Sequence, residues 1–353
     1  MKKAFIPKSF VPKLLLGALL ALPFSLPASA ADSDKVYEMR LGNITSNDAQ
    51  ERIGQKFIDL VKEKSNGRIV GKQFSGGSLG SNDEVMRGLR LGSVQAITNP
   101  TGYLNQFVPQ AGVLTLPWVF PGKTPEEQIE NITEILQGEA GQHIRELADA
   151  KGFHVVSLFG LGPNQIYLRE AKKDVGIVEQ LKGKRIRTIG GHEHTETVND
   201  WGARSVHMSL PEVYTSIQQG VLDGFDLPAA VTVKLKYHEQ APNVLMTNHI
   251  VLTEYIAVSK DWYDKLPDDL KKVVDEAGVE IQVSGTQEFV KEQNEALDLL
   301  RNDPKINVIE LSDEDLDALR ELNKKGVWVT ATQNPGKKEM LDMLEQDIQK
   351  RIK

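Results

Sequence analysis

The apolar positions along the chain follow two alternating periods. Between short apolar runs, apolar residues recur every three or four positions, as at Ile53, Phe57 and Val61, which is the spacing of one helix face. Asn66-Gly67 then ends this helix as a C-cap would. Strands that alternate with helices predict an α/β fold with mostly parallel strands. The strands predicted in the first half of the chain cover residues 36–41, 69–74, 94–98 and 153–159.

The second half repeats the alternation and adds one long helix. From Pro267 to about Asn302 no proline and only two glycines interrupt the chain, so one unusually long helix is predicted, which Asp303-Pro304 ends. No internal repeat or proline-rich linker is visible, which indicates two interwoven domains joined by several crossings. The strand predicted at residues 250–258 is long enough to be one of these crossings. The other predicted strands cover residues 185–188, 205–207 and 244–246, and a helix covers residues 211–218.

The first 30 residues have the pattern of a secretory signal peptide. Four lysines precede an apolar run over residues 14–26, and Ala28-Ser29-Ala30 is a small-residue cleavage site. We therefore expect cleavage before Ala31 and export to the periplasm; the alternative is an N-terminal anchor that stays uncut. Because the chain has no cysteine, a lipid-anchored form is not expected.

Composition and charge narrow the class of protein. Removing the four lysines of the predicted signal peptide from the 42 basic residues leaves 38 against 49 acidic ones, a net charge near −11. Such a chain is a poor partner for nucleic acid, which requires a basic surface. The absence of cysteine excludes disulfides, thiol catalysis and Cys-ligated zinc. The remaining length of more than 300 residues predicts two domains.

The segment at residues 181–224 contains the clearest candidate chemistry. Its opening run, Leu181-Lys182-Gly183-Lys184-Arg185-Ile186-Arg187, places an arginine at the end of a short strand, just before Gly190-Gly191. Because a guanidinium matches a carboxylate with two parallel hydrogen bonds, Arg187 is well placed to bind an organic acid. The alternative is a surface arginine in a solvated turn.

Together, the motifs resemble those of the solute-binding proteins of TRAP (tripartite ATP-independent periplasmic) transporters, dicarboxylate type. The resemblance covers nearly the whole chain after residue 30. It rests on the order of the motifs and not on any single one. These motifs are residues 61–69, Ser78-Leu79-Gly80 with Glu84 and Leu89, Leu116-Pro117-Trp118-Val119-Phe120, residues 181–187, Glu212-Val213-Tyr214, residues 220–224 and Leu266-Pro267.

This resemblance implies a two-lobed α/β flytrap fold with the long helix crossing both lobes. The first lobe would comprise residues 31–161 plus about 253–292, and the second residues 162–252 plus about 293–353. It also implies binding without catalysis: the lobes close on a small organic acid and deliver it to membrane permease subunits that use a sodium gradient. Arg187 stands at the position that clamps the ligand carboxylate in this family.

Departures from the family pattern bear on the ligand. Where many members have a second arginine, this chain has Gly162-Pro163-Asn164-Gln165, so Asn164 or Gln165 would take its place. Leu227 replaces an amide of the family, and Leu210 replaces an aromatic residue. A ligand with one carboxylate and an apolar or small remainder therefore fits better than a dicarboxylate or a polyhydroxylated sugar acid.

Other pocket residues are proposed from their position at strand ends. Asn43 and Asn99 follow predicted strands, where ligands gather in open α/β sheets, although asparagine is also common in turns. Tyr103 and Phe225 are candidates for the pocket wall, with core packing as the alternative. Asp226 would orient Arg187 or a ligand amine, or else lie on the surface.

The sequence gives weaker support to functions other than transport. The run His192-Glu193-His194 suggests a metal site, but its position between Gly190-Gly191 and a predicted helix favours a loop or pocket rim, so no metal and no cofactor are predicted. No hydrolase or phosphate-binding motif is present, which leaves a periplasmic hydrolase as a minor alternative. A flytrap module that presents its ligand to a signalling receptor remains the main alternative. The binding proteins of ATP-driven transporters are disfavoured by the long helix and by residues 181–187.

Overall fold

The computed structural model describes residues 35–172 and 174–351. The predicted signal peptide and its cleavage site lie outside the described residues. From Val36 onward the chain forms a single unit of mixed α/β structure. Its strands are β1 (Tyr37–Gly42), β2 (Ile69–Phe74), β3 (Ala96–Pro100), β4 (Phe153–Leu168), β5 (Arg185–Thr188), β6 (Arg204–His207), β7 (Gly224–Pro228), β8 (Asn243–Met246), β9 (Val251–Ser259) and β10 (Asn307–Glu310).

The helices match the predicted alternation. Local caps begin several of them: Ser81 and Glu84 form a capping box, and Ser312 accepts a hydrogen bond from the Asp315 backbone N–H. The α-helices are α1 (Ala49–Lys64), α2 (Asn82–Arg90), α3 (Pro125–Ile135), α4 (Glu139–Asp149), α5 (Ile177–Leu181), α6 (His192–Asp200), α7 (Leu210–Gln218), α8 (Ala229–Lys234), α9 (Lys260–Asp264), α10 (Asp268–Asn302), α11 (Asp313–Lys325), α12 (Val327–Gln333) and α13 (Pro335–Arg351). Three 3₁₀ segments cover Thr101–Tyr103, Pro109–Thr115 and Tyr237–Glu239.

One strand, β4, joins the sheet of the first half to that of the second. The first sheet has the order β2-β1-β3-β9-β4, and β4 continues into the second, ordered β4-β7-β5-β6, with β8 and β10 beside it. Residues 153–163 of β4 pair with β9, and residues 164–168 pair with β7. The pairings β1–β2, β1–β3, β5–β6, β5–β7 and β8–β10 are parallel, as expected, whereas β4 and β9 pair antiparallel with their neighbours.

Each sheet and the helices on it form one lobe, so the predicted two-lobed fold is confirmed. The 35-residue helix α10 is the element that crosses both lobes: it packs on α1, α3 and β4, and further along on α8 and β10. Glycine allows its close approach, since a Cβ at Gly278 would lie 2.4 Å from the carbonyl oxygen of Val156. A larger side chain there would push α10 away from β4.

The residue bounds of the two lobes stay a prediction. The last helix bears on them, because α13 packs on α3, α4 and the 3₁₀ segment Pro109–Thr115 of the first lobe. Met340, Leu341 and Leu344 join the apolar core of that lobe. These contacts place the last helix against the first lobe.

Candidate functional site

A cavity lies between the two lobes, beside α10. Its empty volume is about 650 Å³, which includes the part open to solvent. The first lobe contributes Asn99 at the end of β3, and the second contributes Arg187 near the end of β5. Both side chains thus lie at the carboxyl ends of strands, where open α/β sheets bind ligands. Much of the remaining wall is apolar and is formed by Tyr103, Leu161, Leu210, Leu227, Leu252 and Phe289.

Arg187 is the main polar feature of the second-lobe wall. Its relative exposure is 0%, although its side chain is among the largest in the core. The Nε–H donates to the backbone carbonyl of Met208 at 3.0 Å, which orients the guanidinium. Both Nη atoms are buried and have no hydrogen-bond partner in the described part of the chain. Since buried donors are normally paired, this guanidinium is arranged for an acceptor that the protein itself does not supply.

The opposite wall presents acceptors and carboxylates. The side-chain oxygen of Asn99 is buried and has no partner among residues 35–172 and 174–351. Asp48 and Glu292 also line the cavity. Asp48 caps α1 by accepting the Glu51 backbone N–H, and Glu292 accepts the Ala49 backbone N–H at 3.0 Å. These bonds place both carboxylates at the positive end of the α1 dipole.

Burial perturbs the acidic groups on this side. Burial raises the pKa of Glu292, and the nearby charge of Asp48 raises it further, while the Ala49 N–H and Arg52 oppose the change. Burial raises the pKa of Glu254 well above its usual range. Glu254 accepts a hydrogen bond from Gln50 at 2.6 Å, and Gln50 itself lines the cavity. The first lobe therefore concentrates carboxyl groups around the first turn of α1.

The structure brings four of the nine candidate residues to the cavity, namely Arg187, Asn99, Tyr103 and Leu210. The other five are buried in the surrounding packing and do not line it. Asn43 accepts from Gln73 and donates to the Thr45 carbonyl. The side-chain oxygen of Gln165 accepts the Asn248 backbone N–H at 3.0 Å.

Three of these five residues lie behind the second-lobe wall, namely Phe225, Asn164 and Asp226. Phe225 stacks on Tyr167 with ring centroids 4.7 Å apart. Asn164 is fully buried on β4. On β7, Leu227 and Pro228 line the cavity, whereas Asp226 does not.

Asp226 belongs instead to a buried network. Its Oδ2 atom lies 2.5 Å from His194 Nε2 and 3.3 Å from His249 Nε2, and all three side chains have 0% exposure. Burial alone would raise the pKa of Asp226, but the two imidazoles outweigh burial and hold that pKa well below its usual range. This carboxylate therefore stabilises the second lobe and does not contact the cavity.

The His192-Glu193-His194 run begins α6, and its side chains contact different partners. His194 contacts Asp226, and Glu193 forms a buried ion pair with Lys337 of α13. No group of three or more metal-ligating side chains is found in the described residues. The Glu193–Lys337 pair joins the second lobe to the last helix.

Sequence reasoning missed the two carboxylates of the cavity. Asp48 follows β1 and caps the next helix, so its position at a strand-to-helix junction was a usable signal. Glu292 is one of several glutamates on α10, and only the rotation of that helix brings it to the cavity.

Among the described residues, no helix has the length and apolar composition that crossing a membrane requires.

Comparison with known proteins gives a consistent result. Residues 42–332 match the model of the bacterial extracellular solute-binding protein family 7. A solute-binding protein of Verminephrobacter eiseniae is 24% identical over 292 residues, which span 82% of this chain and 78% of that protein.

Solved structures show the same fold. A TRAP periplasmic solute-binding protein from Desulfovibrio salexigens with bound orotic acid has a TM-score of 0.82 at 21% identity, covering 90% of this chain and all of the other. A second one, from Sulfitobacter sp. with bound β-D-galacturonate, has a TM-score of 0.80 at 23% identity, covering 88% and 99%.

Proposed function

Because the chain belongs to the bacterial extracellular solute-binding proteins of family 7, we propose that it binds a small organic acid between its lobes for a TRAP permease. The family consists of binding proteins, so the chain is not an enzyme. Two solved relatives hold orotic acid and β-D-galacturonate, which supports an organic acid as the ligand here. Export by cleavage before Ala31, delivery to the permease and sodium-driven uptake are parts of this proposal.

One observation carries the ligand class: the buried Arg187 guanidinium points two unpaired Nη groups at the cavity. A carboxylate is the acceptor that matches two parallel N–H donors. We therefore propose that the ligand carries one carboxylate, which Arg187 holds, with Asn99, Tyr103 and Leu210 beside it. The polar groups of the first-lobe wall mean that the remainder of the ligand is not wholly apolar.

The mechanism follows from binding to both lobes. A ligand that contacts Arg187 on the second lobe and Asn99 on the first stabilises the closed arrangement over an open one. Closure also removes water, which strengthens the attraction between the guanidinium and the carboxylate. The closed, loaded protein is then the form presented to the permease.

A thermal-shift screen of the protein purified after export tests this proposal. The compounds are small mono- and dicarboxylates, sugar acids and aromatic acids, each with its primary amide as the uncharged control. A ligand at 100 times its dissociation constant adds about 2.7 kcal/mol to the free energy of unfolding. We expect acids to raise the melting temperature and their amides to fail. Shifts from only neutral or cationic compounds would overturn the proposal.

A further inference from the structure

The carboxylates around the cavity outnumber the cations, which does not suit a ligand whose only charge is a carboxylate. Among the described residues that line it, Arg187 is the one cation, whereas Asp48 and Glu292 are two carboxylates. Arg52 contacts Glu292 at 3.2 Å, but it is half exposed, also pairs with Glu288 and does not line the cavity. A ligand with only a carboxylate would add a third negative charge to this enclosed space.

The carboxylates gather at one place and come from separate elements. Asp48 precedes α1, and Glu292 on α10 binds the Ala49 N–H next to it. Glu254 on β9 lies behind them through Gln50, and its second oxygen, Oε2, is buried with no partner in the described chain. The unpaired Arg187 Nη groups already show that the cavity is built for a ligand, so this acidic wall faces a ligand too.

We propose that the ligand is a zwitterion, with its carboxylate on Arg187 and a positively charged amine or amidine nitrogen against Asp48 and Glu292. This inference rests on the proposed function and narrows its ligand class. A cation at this wall compensates both carboxylates, which a hydroxyl group of a sugar acid does not do. Because Arg187 belongs to the second lobe and Asp48 to the first, the two charged ends of one ligand join the lobes.

The test compares acids that differ only at the end opposite the carboxylate. Unbranched acids of about three to six carbons are used in four forms, with a terminal ammonium, hydroxyl, methyl or carboxylate group. Calorimetry gives the dissociation constant of each form. We expect the ammonium form to bind about tenfold or more tightly than the hydroxyl and methyl forms of equal length, and the dicarboxylate to bind worst.

Two conservative substitutions, Asp48→Asn and Glu292→Gln, combined in one variant, assign the effect to the acidic wall. Asparagine caps a helix as well as aspartate does, and glutamine can still accept the Ala49 N–H, so the variant is expected to fold. It should lose the preference for the ammonium form while binding the methyl form at least as well as before. Glu288→Gln is the control, because Glu288 also bonds Arg52 but does not line the cavity.

The outcomes separate this inference from the proposed function. Equal or tighter binding of the hydroxyl or methyl forms by the unmodified protein overturns the zwitterion. The zwitterion is also overturned if the Asp48→Asn/Glu292→Gln variant still binds the ammonium form more tightly than the other forms. If neither these acids nor any acid of the thermal-shift screen binds the unmodified protein, the proposed function itself has failed.

Discussion

Replacing Arg187 by methionine should separate ligand binding from stability. Methionine fills a similar volume but removes both Nη groups that face the cavity. A hydrogen bond to a charged group contributes about 1.5–3 kcal/mol, so losing two of them weakens binding by about 3–5 kcal/mol. That range corresponds to a rise of about 10²–10⁴-fold in the dissociation constant.

The same substitution should leave the empty protein nearly as stable as before. It removes the hydrogen bond to the Met208 carbonyl, which contributes about 1 kcal/mol. It also removes an uncompensated charge from a site with 0% exposure, and burying such a charge is unfavourable by several kcal/mol. The two effects have opposite signs, so we expect an unchanged or higher melting temperature without ligand.

Calorimetry with the best acid of the screen, together with thermal unfolding of the empty protein, measures both quantities. Arg185→Met is the matched control, because Arg185 lies two residues earlier on β5 and pairs with Asp223 at 2.8 Å, away from the cavity. That variant should keep the affinity of the unmodified protein. Binding by Arg187→Met within about threefold of the unmodified protein would refute the carboxylate clamp. An empty Arg187→Met protein that does not fold would show that Arg187 is chiefly structural.

Three further predictions concern ion pairs outside the cavity. Asp226→Ala should lower the free energy of unfolding by about 3–5 kcal/mol in urea at pH 7, because it leaves two buried imidazoles without their carboxylate. Since the folded state lowers the pKa of Asp226, this stabilisation is present at neutral pH and lost in strong acid; a variant equal to the unmodified protein at pH 7 contradicts it. Burial opposes protonation of His154, but hydrogen bonds to two carboxylates raise its pKa to about 9. The resulting stability is complete below about pH 6.5 and disappears as the pH rises through 9, so His154→Gln should flatten the melting-temperature profile between these values; an unchanged slope argues against it. Lys337→Met leaves Glu193 buried and unpaired and should lower stability by about 3 kcal/mol, and adding Glu193→Gln should restore most of it, as urea unfolding of the single and double variants would show.

The elements of the fold were predictable because their signals are local. The cap at Ser312 and the end of α10 at Asp303-Pro304 depend on residues within one or two turns of each other. The long helix follows from a stretch without proline. Arg187 was found for a similar reason, since a strand end beside a glycine pair is visible in the sequence itself.

The site was only partly predictable because its neighbours are distant along the chain. Asp226 stood at a strand and was expected to face the ligand, but its partners His194 and His249 lie 32 and 23 residues away and take it into the core. Asn164 and Gln165 were placed by family pattern, which locates a segment and does not say which side chain faces the cleft. The direction of each side chain depends on the register of β4 and β7, which sequence alone does not specify.

The α/β class, the long helix and one arginine suited to a carboxylate follow from the amino-acid sequence alone. Periodicity, caps and helix breakers act over a few residues, so a single chain displays them directly. Asp48 and Glu292 are 244 positions apart, and tertiary packing brings them to one wall opposite Arg187. The charge balance of a cavity depends on which side chains, distant along the chain, lie together there. The packing between the lobes determines which side chains these are.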